Sequence, residues 1–153
     1  MNEPGDLFAP FKLGPITLRN RFIRAGANEG MVMKGAPTKA LLMHHRAMAA
    51  GGVGLTTVAY GAVSKVGRTL PNQVWMRPEI LPDLKAMADA VHAEGGAISY
   101  QITHGGSFVT SVKVEGPTMS ASGGINKAGM LRGNFFQREM NRADMDLVAQ
   151  QFV

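Results

Sequence analysis

Hydrophobic and polar positions along the chain alternate between two periods, and the alternation predicts a regular succession of elements. Phe11-Lys12-Leu13 and Ile16-Thr17-Leu18 are two short alternating runs joined at Gly14-Pro15, the pattern of a small β-hairpin. Asn20 to Ala25 predicts a short first strand that runs into the flexible polar turn Gly26-Ala27-Asn28-Glu29-Gly30. From Thr38 the spacing becomes helical: Leu41, Leu42, His45, Met48 and Ala49 share a face, Thr38 is placed to accept a backbone N–H as N-cap, and Gly51-Gly52 stops the run. Val53 to Ala59 is β-branched and apolar without polar alternation, which predicts a strand covered on both faces.

The same unit then repeats. A loop rich in turn residues runs from Ser64 to Glu79, and a helix from Pro82 places Leu84, Met87, Ala88 and Val91 on one face. Gly95-Gly96 ends it, and Ala97 to Ile102 is the third strand. A long Gly-, Ser- and Pro-rich loop precedes Arg142-Ala143-Asp144, the start of another helix with Met145, Val148, Ala149 and Phe152 on one face. Strands alternating with helices imply an α/β chain with a parallel sheet covered by helices, either an open doubly wound sheet or a closed eight-stranded barrel. The first strand-to-helix turn has no G-x-G-x-x-G and no G-x-x-x-x-G-K-[ST], so a nucleotide-binding doubly wound domain loses its best signal.

Composition narrows the chemistry. The 153 residues are 45% hydrophobic and contain no Cys. They are enough for one sizeable core, and a disulfide scaffold, a thiolate zinc site, a catalytic thiol and a cysteine-held iron–sulfur cluster are excluded within them. His44 and His45 have no i, i+4 ligand partner, so no metal is expected. There is no G-x-S-x-G and no paired carboxylate arrangement. The formal charge is +5, yet Arg19, Arg21 and Arg24 form the only tight basic group. Scattered charge of this kind argues against nucleic acid. The N-terminus lacks the basic and apolar regions of a secretory signal, and no run approaches the ~20 apolar residues of a membrane helix, so a cytoplasmic protein without a membrane partner is expected.

Three stretches carry a family resemblance. Leu7-Phe8-Ala9-Pro10 with Leu18-Arg19-Asn20-Arg21-Phe22-Ile23-Arg24-Ala25 resembles the opening of the old yellow enzyme family of FMN-dependent oxidoreductases, with its short hairpin and L-x-N-R strand. Gly52-Val53-Gly54-Leu55 and Gly67-Arg68 resemble the second strand and the loop after it. Val91 to Gly96 followed by Gln101-Ile102-Thr103-His104-Gly105-Gly106 resembles the helix end and the Q-L-x-H-x-G motif. Arg24 to Gly30 is similar to the R-S-A-T-x-E-G first loop of the branch with 2-enoate and 2,4-dienoyl-CoA reductases, although Ala25 and Ala27 stand where that pattern has Ser and Thr.

The resemblance implies that residues 1–153 form the N-terminal portion of a TIM (β/α)8 barrel, with a short hairpin before the first strand and FMN at the mouth where strands end. It implies hydride transfer from NAD(P)H through the flavin to a small-molecule substrate, an activated alkene such as an enoate, an enone or a dienoyl thioester. Gln101 is the leading cofactor-binding candidate, because a carboxamide matches the mixed donor and acceptor edge of the flavin pyrimidine and favours the charge of the reduced ring. The competing reading is a glutamine that caps the sheet end through backbone hydrogen bonds. Ala25, Gly26 and Ala27 are small enough for the backbone to approach a flat ring. Tyr60 falls where the family has a small residue, so it either stacks beside the flavin or obstructs it. His104 is expected to anchor its loop, and Trp75 either shapes the barrel mouth or packs its loop down.

Strands starting near 20, 53 and 97 imply about 300 residues or more for eight units, above the ~250 typical of the fold. The family's substrate-anchoring His pair or His-Asn pair, its proton-donating Tyr and its phosphate loops come from strands beyond this chain. No catalytic residue is therefore expected here. The remainder of the barrel is an implied partner, in the same or a second chain, and a homo-oligomer is compatible with the sequence. A non-catalytic partial-barrel interaction protein is the alternative, and an unrelated doubly wound binding domain a further one.

Overall fold

A computed structural model describes residues 6–110 and 118–153, so the first five residues and 111–117 of the long third loop lie outside the described residues. The hairpin forms as its alternation predicts: β1 (Phe11–Leu13) pairs antiparallel with β2 (Ile16–Leu18), Phe11 opposite Leu18. Gly14 makes the turn at φ 56°, a conformation costly for any residue with a Cβ.

β3 is shorter than the expected Asn20–Ala25 strand. Only Ile23–Arg24 pairs, in parallel, with Leu55–Thr56. The reason lies in Asn20, whose buried side chain donates to the Gly52 carbonyl (2.7 Å) and accepts from the Phe22 N–H (3.1 Å), so the backbone before Ile23 bends. A small hairpin, β4 (Val32–Met33) with β5 (Ala36–Pro37), follows the first loop and turns at Lys34 and Gly35, both at positive φ.

Helix α1 (Lys39–Ala50) starts at Thr38, whose hydroxyl oxygen accepts from the Leu41 N–H and whose O–H donates to the Met31 carbonyl. Leu41, His45 and Ala49 are buried, while Leu42 and Met48 are half-buried. Strand β6 (Leu55–Ala62) begins later and runs further than the expected Val53–Ala59. Helix α2 (Leu81–Ala93) buries Met87 and Val91, and β7 (Ala97–Thr103) follows it.

The central sheet runs β3-β6-β7, all parallel and in chain order, as right-handed β/α units require. Its outer face carries Val58 in a cluster with Leu41 of α1 and Met87 of α2, with Ile98 and Tyr100 packed against them. Its other face is polar at the centre, where Thr57 and Ser99 share a hydrogen bond of 2.9 Å. The L-x-N-R stretch sits at the end of the sheet where strands begin. There Leu18 is buried, Arg21 lies over the Phe11 ring at 4.7 Å, and Arg19 donates to the carbonyls of Val53, Glu94 and Ala49. One guanidinium thus joins the C-terminal ends of α1 and α2 to the entry of β6.

The stretch expected to be a long loop contains structure of its own. β8 (Met119–Ser120), β9 (Gly124–Ile125) and β10 (Phe136–Glu139) form a second three-stranded sheet in the order β8-β10-β9. Its strands are two to four residues long and are broken by Gly123, Gly124 and Gly133 at positive φ, so no hydrophobic period survives to announce them. Helix α3 (Arg142–Gln151) is capped by Asn141 and Asp144 in a reciprocal capping box, and no residue of it is buried. Of the expected apolar face of α3, Met145, Ala149 and Phe152 are exposed and Val148 is half-buried among the described residues. No helix among them is long and apolar enough to cross a membrane.

Candidate functional site

The loops that follow β3, β6 and β7 converge where the strands end and, with the last residues of β6 and β7, line an open cavity of about 620 Å³. That volume suits an organic cofactor or ligand, and the position is the one active sites occupy in β/α barrels. Of the residues expected to form a site, Gly26, Ala27, Tyr60 and Gln101 line this cavity together. Ala25 does not, and is exposed outside it.

Gly26 and Gln101 fit each other closely. A Cβ on Gly26 would lie 2.8 Å from Gln101 Oε1 and 2.9 Å from the Ala59 Cβ. Glycine therefore lets the first loop lie against the carboxamide. Gln101 is exposed and its side chain makes no hydrogen bond to the described residues. The capping role is not realised, and its donors and acceptor remain available to a ligand.

Tyr60 sits at a register shift of β6 against β7, between Ala59 and Gly61, and the Ala59–Tyr60 peptide is cis. Thr69 gives its hydroxyl proton to Gln73 Oε1 (2.9 Å), so the Tyr60 O–H is the donor to Thr69 Oγ1 (3.0 Å). Gln73 also accepts from the Thr69 N–H (2.7 Å) and donates to the Tyr60 carbonyl (3.4 Å). The phenol is thereby drawn toward the second loop. Arg68, of the Gly67-Arg68 pair, donates to Lys65 and Pro71 carbonyls and stitches that loop together. His104 accepts the Gly106 N–H at Nδ1 (3.2 Å) and packs against Gly67, where a Cβ would come within 2.5 Å of the ring. Burial lowers its pKa, so a neutral, loop-anchoring imidazole results. Trp75 packs its loop down against Gly35 and under the Arg77 guanidinium.

Behind the cavity, the first loop is held by groups that sequence reasoning left without a role. Arg24 donates to the Thr57 carbonyl (2.9 Å) and pairs with Glu29 at 2.8 Å, closing the intervening residues into a loop. The Glu29 side chain is 3% exposed. His45 of α1, fully buried, bonds Thr56 Oγ1 through Nδ1 (2.8 Å) and brings Nε2 to 3.6 Å from Glu29. Burial pushes the His45 pKa down to about 4, with Glu29 opposing and Arg24 reinforcing the shift. The supposedly flexible turn is therefore pinned from below. The two charged residues of the R-S-A-T-x-E-G likeness, Arg24 and Glu29, form this pair.

Sequence reasoning also missed Asn28, Thr69, Leu70, Phe108 and Thr110 as cavity residues. Asn28 stands within a quoted motif and Thr69 directly follows the Gly67-Arg68 pair, whereas Phe108 lies in a stretch with no periodic signal. No group of three or more metal-ligating side chains occurs among the described residues.

Residues 6–153 match the NADH:flavin oxidoreductase / NADH oxidase family. The chain belongs to this family. Among curated members it is 39% identical over 124 residues to the 4,4'-dithiodibutanoate disulfide reductase of Rhodococcus erythropolis, covering 81% of this chain and 31% of that protein. It is 31% identical over 116 residues to the metal reductase of Desulforamulus reducens, covering 76% of this chain and 17% of that one. The chain thus spans less than a third of the length of either relative. Among solved structures, the Old Yellow Enzyme from Pichia sp. AKU4542 superposes with a TM-score of 0.84 at 20% identity, over 95% of this chain and 40% of that chain. Morphinone reductase in complex with tetrahydroNAD gives a TM-score of 0.82 at 19% identity, over 98% and 44%. The fold is therefore the N-terminal portion of the old yellow enzyme barrel, and the family is one of flavin-dependent oxidoreductases.

Proposed function

We propose that this chain supplies one wall of the FMN site in a barrel completed by strands it does not contain, whether from the same or a second polypeptide. The observation that carries the proposal is the Gln101 carboxamide, without a hydrogen-bond partner among the described residues, held against Gly26 in the cavity lining. FMN bound there supplies hydride transfer between NAD(P)H and an acceptor. Gln101 meets the polar edge of the ring as both donor and acceptor and favours the charge that gathers there on reduction. Gly26 and Ala27 let the backbone lie close to the ring face, and the Arg24–Glu29 pair keeps that backbone in place. Tyr60, tethered to Thr69, lines the same cavity and would contribute to the wall beside the cofactor.

For the acceptor we take an activated alkene conjugated to a carbonyl, the class the old yellow enzyme resemblance implies. A disulfide acceptor is the second reading, favoured by the identity to the Rhodococcus disulfide reductase. The test is a titration of the completed-barrel protein with FMN, followed by flavin fluorescence, on wild type, Gln101→Ala and Gln101→Glu. Loss of two neutral hydrogen bonds predicts affinity weaker by roughly tenfold or more in the alanine variant. A wild-type protein that binds no FMN overturns the proposal. Anaerobic reoxidation of the NAD(P)H-reduced flavin by an enone or by a dialkyl disulfide then separates the two acceptor classes.

A further inference from the structure

We propose that Phe108 determines acceptor specificity: its ring forms the apolar wall against which a planar, aryl-substituted acceptor packs. The inference rests on the flavin reading of the same cavity and adds the substrate side of it. Phe108 lines the cavity and is 69% exposed, whereas the backbone around it is bound on every side. Its own N–H donates to the Gly105 carbonyl (2.8 Å), and the Ser107 carbonyl accepts from Gln137 Nε2 (3.0 Å). The carbonyl of buried Val109 accepts from two buried amides, Asn126 Nδ2 (2.6 Å) and Asn134 Nδ2 (3.0 Å). Thr110 is tied to the Thr69 carbonyl by both its N–H and its hydroxyl.

The β8–β10 excursion and the second loop thus fix a turn from which a single large apolar ring projects. An aromatic ring held in the open by a rigid backbone is preorganised for contact, because little conformational freedom is lost when a partner packs on it. The cavity lining also includes the small or polar residues Gly26, Ala27 and Gln101. Phe108 and Leu70 offer no donor or acceptor in their side chains to the polar edge of a flavin. Their surface instead matches the apolar substituent of an acceptor by offset or edge contact.

The test compares wild type, Phe108→Ala and Phe108→Leu in the completed-barrel protein, with cinnamaldehyde and crotonaldehyde as aryl and methyl probes. The exposed position allows the variants to fold. Expected are an FMN dissociation constant within twofold of wild type in all three, and a preference for cinnamaldehyde over crotonaldehyde that falls about tenfold in Phe108→Ala and recovers most of the way in Phe108→Leu. The preference is read as the ratio of kcat/KM, or, without turnover, as the ratio of dissociation constants from the perturbed flavin absorbance. An unchanged ratio, or equal losses for both probes, overturns the inference while leaving the flavin reading intact. Weaker FMN binding in Phe108→Ala overturns it by placing the ring in the flavin site. A wild type that binds no FMN overturns both.

Discussion

Replacing Arg24 by Ala should destabilise the protein more than replacing its partner Glu29 by Ala. The two variants break the same 2.8 Å pair but strand different groups. Without Arg24, a carboxylate only 3% exposed is left with His45 Nε2 at 3.6 Å as its nearest polar neighbour and no hydrogen bond. Removing one partner of a buried pair typically costs about 3–5 kcal/mol, since the other charge stays buried and uncompensated. Without Glu29, Arg24 is 20% exposed and keeps its bond to the Thr57 carbonyl. Partial hydration and a surviving bond place that cost lower, at about 1–3 kcal/mol.

Acid should narrow the gap. His45 is held near 4, below its usual 6.5, partly by Arg24. Its neutral form stabilises the fold above about pH 6.5, and that contribution is lost as pH falls toward 4. In Arg24→Ala one lowering influence is gone while Glu29 still raises the imidazole pKa, so a protonated His45 is better tolerated and compensates the stranded carboxylate. Urea unfolding followed by far-UV circular dichroism at pH 7 and pH 5 measures both effects, with midpoints converted through the common slope. Equal costs at pH 7, a costlier Glu29→Ala, or a gap that does not shrink at pH 5 would refute the reasoning.

Other outcomes follow from single contacts. Gly26→Ala forces a Cβ to within 2.8 Å of Gln101 Oε1 and 2.9 Å of Ala59; overpacking should cost about 1–3 kcal/mol in urea unfolding, and FMN titration should show at least tenfold weaker binding. Arg19→Ala removes the donor shared by Val53, Glu94 and Ala49 carbonyls and should cost about 2–4 kcal/mol, with faster hydrogen exchange at the ends of α1 and α2. His45→Gln should flatten the pH dependence of stability between about 6.5 and 4, a window worth roughly 3 kcal/mol in wild type; an unchanged profile assigns the acid loss to other groups. Asn126→Ala leaves Val109 O and the Gly129 N–H each short of a buried partner, and limited proteolysis should then cleave the excursion between 118 and 139 faster than in wild type.

The elements with a sustained local pattern were legible: α1 and α2 announced themselves through Leu41, His45 and Ala49 and through Met87 and Val91, and β6 and β7 as short runs rich in β-branched and aromatic residues that each follow a double-glycine helix stop. The ends of α1 were legible too, since Thr38 caps its start and Gly52, at φ 101°, takes the left-handed turn just past its end. What stayed hidden depends on side-chain hydrogen bonds between distant positions. The shortening of β3 comes from Asn20 reaching Gly52, and the order in the third excursion from Asn126 and Asn134 reaching Val109. No local pattern encodes such bonds. The site was half legible for the same reason. Gln101 and Gly26 stood in recognisable stretches, while Phe108 became visible only once the excursion had positioned its turn, and Ala25 lies outside the cavity that its neighbours Gly26 and Ala27 line.

The Arg19 clamp lies at the end of the sheet where strands begin, and the cavity lies at the end where they finish; the two sets of residues have no member in common. A change at Tyr60 or Phe108 and a change at Arg19 should therefore act independently, with free-energy effects that add. That separation makes the chain evolvable: the residues around the cavity can drift at one end of the sheet while the foundation at the other is left undisturbed. In engineering terms, new substrates should be sought by varying the loops around the cavity in a background where the Leu18-to-Arg21 corner is held constant.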